Sequence, residues 1–235
     1  MLKINIKLLT LSSTFASLYA ILQFLPLFPV FGAPGRFITA GNIIAPIIGL
    51  ALGPIIGALS TLIGGLVSCL ITGYGTFGPL SPLPAVSSSL YAGLIKYKKL
   101  ELCIIFYIIG LIVFAFYPNV GPIWIFPFFI WMHIIGLVLT ILMRKFLKSF
   151  DLNKPERQIK WIITLMVSST LFGHLTGCFL FELMYYPAII NSIKSWKLLW
   201  ETLTFIYPIE RLIIASLASI ICLPVLKILK ATRFH

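Results

Sequence analysis

The amino-acid sequence predicts an all-α polytopic membrane protein of about eight transmembrane helices. Three observations carry that prediction. Of 235 residues, 60% are hydrophobic and only 10% are charged, against roughly 25% charged in an ordinary soluble domain. The mean hydropathy is +1.06. The apolar residues come in continuous runs rather than ten-residue alternating segments, which excludes a membrane β-barrel. Eight spans of ~20 residues use about 160 residues and leave no room for a soluble domain. Eighteen Lys plus Arg and six Asp plus Glu cannot coat a soluble globule, so the net charge of +12 does not signal nucleic-acid binding.

Leu8 to Phe31 reads as the first span, ending in Pro26, Pro29 and the GAPGR turn at 32–36. Its length, and the lack of a small-x-small cleavage site before Gln23, make it a retained span rather than a signal peptide. Ile43–Leu52 and Ile55–Ile71 follow as two spans interrupted at Gly53-Pro54, where the proline ends the preceding helix. Residues 73–84, rich in Gly, Pro and Ser, form a loop. A shorter span, Ala85–Ile95, closes on Lys96, Lys98 and Lys99. Leu102–Tyr117 and Ile123–Met143 make a hairpin around Pro118–Pro122. A polar loop at 144–160 leads to a seventh span, Ile162–Glu182. Tyr185–Thr204 then connects it to the last, Ile206–Leu229.

Basic loops set the orientation. With eight crossings and both termini cytoplasmic, Lys3, Lys7, Lys96–Lys99, the 144–160 loop and Lys227–Arg233 share the inner side. Only Arg36, Lys194, Lys197 and Arg211 remain outside, so fourteen of the eighteen basic residues lie within.

Small residues recurring every four positions let membrane helices approach closely. Gly49, Gly53, Gly57, Thr61 and Gly65 form one stripe, Ser12, Ala16 and Ala20 a second, and Gly173 with Gly177 a third. Each serves either internal packing or docking of another membrane subunit, and the terminal first span is the best docking candidate. Cys69, Cys103, Cys178 and Cys222 sit in apolar runs without a C-x-x-C pair and read as packing residues. His133, in an aromatic stretch, reads as a satisfied packing histidine.

Ionisable groups inside a span face a cavity or a partner. His174 lies mid-span and Glu182 two turns beyond, about 80° round the helix, so both can border one outward cavity; alternatively, Glu182 is a wetted interfacial group. Glu210 follows Pro208 at the start of the last span. There a carboxylate complements the helix dipole, so it is either a cap or a ligand group. Arg211 is a cation at the unfavourable helix end and calls for a carboxylate partner, Glu182, or an anionic ligand. Arg36, Asn42 and Tyr207 lie on the same outer side. The substrate-binding set is therefore Arg36, Asn42, His174, Glu182, Tyr207, Glu210 and Arg211, with aromatic closure from Tyr185, Tyr186, Trp196 and Trp200, rings whose default role is interfacial anchoring. No H-E-x-x-H, G-x-S-x-G or phosphate-binding loop occurs. No catalytic residue or cofactor is expected, and the chain has no motif for hydrolysing ATP.

The stretch FITAGNIIAPIIGLALGPIIGALSTLIGGLVS (37–68) resembles the second and third helices of substrate-binding S components of energy-coupling factor (ECF) importers. SSSLYAGLIKYKK (87–99) is similar to their fourth helix, YPIERLIIASLASIICLPVLKIL (207–229) to their last, and Ala16-x-x-x-Ala20 to the small-residue motif of their first. The departure is the hairpin at about 102–143, two helices added to the usual six. The resemblance implies a plasma-membrane subunit that captures a vitamin, a precursor or a metal ion at its outer face. It further implies docking to a transmembrane coupling subunit served by two cytosolic ATPases, with Ser12, Ala16 and Ala20 as the docking face. Three His and one Asp, with His235 terminal and Asp151 in the polar loop, make a poor metal set, so a small organic ligand is preferred. Two rivals stand beside this reading: a solitary secondary transporter with His174 and Glu182 as a proton relay, and an intramembrane enzyme acting on a lipid. A topology reporter inserted at residue 152 should read as cytoplasmic; an extracellular signal there would overturn the orientation.

Overall fold

The computed structural model describes residues 6–73, 75–148 and 155–231. Lys3, Asp151, Lys154, Arg233 and His235 lie outside the described residues. Helix α1 spans Ile6–Leu22. It ends well short of the expected Phe31, because Pro26 and Pro29 cannot continue a helix. They begin and end a short strand instead, β1 (Pro26–Pro29), antiparallel to β2 (Phe37–Thr39). The Val30 amide donates to the Arg36 carbonyl at 2.9 Å and the Ala40 amide to Leu25 at 2.9 Å. The apolar pattern announced neither this hairpin nor the break at Phe126 that divides the expected Ile123–Met143 span.

Helices α2 (Gly41–Leu52) and α3 (Pro54–Thr72) flank the expected break. Gly53 has φ 87°, a left-handed conformation that glycine adopts at little cost, and Pro54 opens α3 at a position needing no amide donor. Lys96 caps the junction by donating to the Ala51 carbonyl at 3.3 Å. Helix α4 (Leu83–Lys96) and helix α5 (Leu100–Ala115) follow. A turn, the four-residue α6 (Pro122–Ile125) and a 3₁₀ segment (Pro127–Ile130) then lead into α7 (Trp131–Lys148).

The last two helices are longer than the sequence suggests. Helix α8 runs Pro155–Tyr185 and α9 runs Ile193–Ala231. The polar 144–160 stretch is thus helical on both flanks of the undescribed residues. Its Arg144 pairs with Glu101 between the end of α7 and the start of α5. The expected connection at 185–204 shrinks to the residues before Ile193, and the rest belongs to α9.

Helix α2 is buried over eleven of its twelve residues, the signature of a helix apolar all round and enclosed by others. Backbone contact seats it. A Cβ at Gly49 would collide with the Ser89 carbonyl of α4, one at Gly93 with the backbone of Pro54, and one at Gly57 would stand 2.7 Å from the Gly49 Cα. The glycine stripe therefore serves internal packing. So do Ala16 and Ala20: both are buried, and Gly64 of α3 abuts the Ala16 carbonyl. Ser12 is part-buried and donates to its own helix at Leu8. The proposed docking face is covered by α3, which corrects that expectation.

The outside is apolar, with Ile55, Leu59, Ile63 and Leu70 exposed on α3 and Ile209, Leu212 and Ile220 on α9. Among the described residues, four helices are long and apolar enough to cross a membrane: Pro54–Thr72, Pro127–Lys145, Arg157–Tyr185 and Ile193–Leu229; α1, α2 and α5 are shorter apolar helices. The protein is a membrane-embedded, multi-pass helical bundle. Gly49→Ala should cost about 1–3 kcal/mol or more of stability, the range for overpacking a filled interior. Gly177→Ala, whose added carbon meets Pro84 at an ordinary 3.6 Å, should be nearly neutral. Unfolding of the two variants in detergent checks the contrast.

Candidate functional site

Helix α9 reaches the site by passing through Pro208, which has no amide to give the carbonyl four residues earlier. That carbonyl, Thr204, accepts instead from Trp131 Nε1 of α7 at 3.3 Å. With the orphan satisfied from outside, the helix continues, as helix-interior prolines do in lipid. Glu210 and Arg211 consequently lie in mid-helix, not at an N-terminus, and the dipole-capping reading of Glu210 fails. The two pair with each other, Arg211 Nη2 to Glu210 Oε2 at 3.2 Å, both side chains 6% exposed. Glu182 is fully buried and neither of its oxygens has a hydrogen-bond partner. It is neither wetted nor the partner of Arg211.

A cavity of about 450 Å³ lies among the end of α1, the β-hairpin, the start of α2, the end of α3, the start of α4, and the facing parts of α8 and α9. Its volume suits a small organic molecule. Exposed Phe24, Arg36 and Phe37 line its mouth, and Arg36, Asn42, His174, Tyr207 and Arg211 all contribute to its wall. Glu182 and Glu210 do not. Arg36 and Arg211 are the only charged side chains among the described lining residues. Arg211 lies over the Tyr207 ring, 5.9 Å from its centre, and Tyr207 meets His174 edge-on at 4.6 Å.

Hydroxyls elsewhere in the bundle bond to the carbonyl one turn back on their own helix: Thr10, Ser12, Ser13, Thr14, Thr61, Thr72 and Ser219 do so. The exceptions concentrate where α4 meets α8. Ser88 and Ser89 on α4, and Ser168, Ser169 and Thr170 on α8, are buried without partners. Ser88 and Thr170 line the cavity, as does Arg211, whose Nε is likewise unpaired. Buried polar atoms without partners are costly, and here they converge from three helices on one space.

Of the aromatic residues expected as interfacial anchors, Tyr185, Trp196 and Trp200 are interior and Tyr186 is half-buried. Trp196 and Trp200 are almost wholly buried, the latter donating to the Val120 carbonyl at 2.9 Å, and Tyr185 donates to Thr76 at 3.3 Å. His133 is buried but unsatisfied, with both ring nitrogens unpartnered. Sequence reasoning set it aside for its aromatic surroundings; Phe114 and Phe129 do pack on it. Its ring also lies 5.3 Å from that of His174, and with Cys178 these residues gather three potential metal-ligating atoms. The expectation of a poor metal set counted three His and one Asp and left out Cys178. The signal was the spacing His174-x-x-x-Cys178, which puts both on one helix face.

No family model, curated protein or solved structure matches this chain.

Thr170→Val removes an unpartnered buried hydroxyl at nearly constant volume. The ligand-free protein should therefore gain about 1–2 kcal/mol of stability, read as a rise in its unfolding midpoint in detergent.

Proposed function

We propose that this protein is a membrane-embedded binding subunit for a small acidic organic nutrient, of the type represented by S components of ECF importers. The observation that carries the reading is the cavity itself, where unpaired polar atoms of Ser88, Thr170 and Arg211 converge. Among its described lining residues, the only charges are guanidinium groups. The buried guanidinium of Arg211 favours a planar anion such as a carboxylate, which it grips with two hydrogen bonds. Glu210 occupies one edge of Arg211; the free Nε leaves another edge for the ligand.

The cavity sits among helix ends opposite those carrying Lys96, Arg144, Arg157 and Lys227. Under the positive-inside rule, it faces outward in an eight-crossing arrangement with both termini cytoplasmic. The sequence has no nucleotide-binding motif, so energy for uptake comes from partners, which the resemblance supplies as a coupling subunit and two ATPases. Docking then falls to a face other than the Ala16/Ala20 stripe. The location that follows is the plasma membrane.

Native mass spectrometry of the protein purified from its own membrane should show a bound species of a few hundred daltons together with partner subunits. The double variant Glu210→Gln, Arg211→Gln removes the charge without stranding a buried carboxylate, and should lose that species, as should Arg211→Ala. Loss of a buried, hydrogen-bonded charge contact costs about 2–5 kcal/mol of affinity. Retention of the ligand by both variants would place the pocket elsewhere. Uptake by the purified chain alone under a pH gradient would identify a solitary transporter instead.

A further inference from the structure

We infer that His133, His174 and Cys178 form a binding site for one thiophilic monovalent cation, Cu(I), in the wall of the cavity. The inference is independent of the transport reading.

Helix α8 carries His174 and Cys178 one turn apart on one face, and α7 brings His133 across to them. One ligand atom from each lies within 4.8 Å of the others, and all three residues are buried. Cys178 Sγ stands 3.6 Å from His174 Nε2. Metal arms of about 2.0 Å to nitrogen and 2.3 Å to sulfur, opened to a trigonal or tetrahedral angle, subtend about that distance. The third corner closes with about an ångström of side-chain movement. No hydrogen bond has to break for His133 to move, since neither ring nitrogen has a partner. An imidazole fully buried with both nitrogens bare is a costly arrangement, and a metal bond removes that cost. His174 and Cys178 also line the cavity, which gives an ion its way in.

The donor set and its surroundings select the ion. One thiolate with two imidazoles is soft and borderline, which suits Cu(I) or Zn(II) and not Mg²⁺ or Ca²⁺. The thiolate brings one negative charge and the neutral imidazoles bring none. Cu(I) therefore makes a neutral centre, whereas Zn(II) leaves a net positive one. A net positive centre buried in an apolar interior is costly and a neutral one is not, while Arg211, one ring away across Tyr207, is already paired with Glu210. In binding, the Cys178 S–H bond breaks, its proton leaves through the cavity, and the sulfur pair forms the S–Cu bond. Copper stays Cu(I) throughout, so no oxidant or reductant is needed.

The test is anaerobic titration of the detergent-purified protein with Cu(I) against a chromophoric Cu(I) chelator. One equivalent should bind. Cys178→Ser and His133→Gln should each weaken it at least a hundredfold, while Cys103→Ser and Cys222→Ser leave it unchanged. X-ray absorption on the loaded wild-type protein should show one sulfur and two nitrogens, a readout independent of whether any variant folds. Absence of stoichiometric binding, a shell without sulfur, equal loss in the Cys222→Ser control, or preference for Zn(II) would each overturn the assignment. Because no ligand uptake is measured, a failure here leaves the transport reading to its own test.

Discussion

The close seating of α2 against α4 and α3 is the contact on which the rest of the bundle depends. Lipid tails are as apolar as the helices they surround, so helices in a bilayer associate through packing and internal hydrogen bonds rather than expulsion of water. Packing is best where backbones touch, and they touch at Gly49 against Ser89 and at Gly93 against Pro54. Those two approaches fix α2 in the centre. They also fix the Gly53 reversal, the start of α3, and the end of α2 that presents Asn42 to the cavity. A side chain at either glycine would separate the elements and open the site from below.

In an apolar interior, each buried polar side chain needs its own arrangement. Most Ser and Thr residues fold onto their own helix, which removes them from the tertiary problem altogether. The seam between α4 and α8 is built differently. Its hydroxyls have no such partners, and the neighbouring α9 places an ion pair of adjacent residues, Glu210 and Arg211, beside them. Stability given up locally at such a seam is the usual mark of a place where something binds.

Much of this was legible in the sequence, for identifiable reasons. Apolar runs mark helices whatever their order, and Gly53-Pro54 marks a break because both residues act through their own backbone. Arg36, Asn42, His174, Tyr207 and Arg211 were recognisable as polar groups in apolar surroundings, and they do share one cavity wall. What escaped depended on partners remote in the chain. Pro208 reads locally as a helix start, yet α9 runs through it because Trp131 supplies a donor from another helix. Ala16 and Ala20 carry the same pattern whether the covering helix is a foreign subunit or α3. His133 looked like packing because its neighbours in sequence are aromatic, while the ring it faces in space is His174.

The Trp131 hydrogen bond also changes the standing of the 102–143 hairpin. On the resemblance to six-helix S components, that hairpin is an addition to a complete fold. Here it supplies the donor that lets α9 stay whole at the level of Tyr207 and Arg211, and it carries His133 as well. Helix α9 depends on this hairpin. Excising the hairpin would strand the Thr204 carbonyl in the interior beside the cavity wall, and only a compensating change in α9 would relieve it.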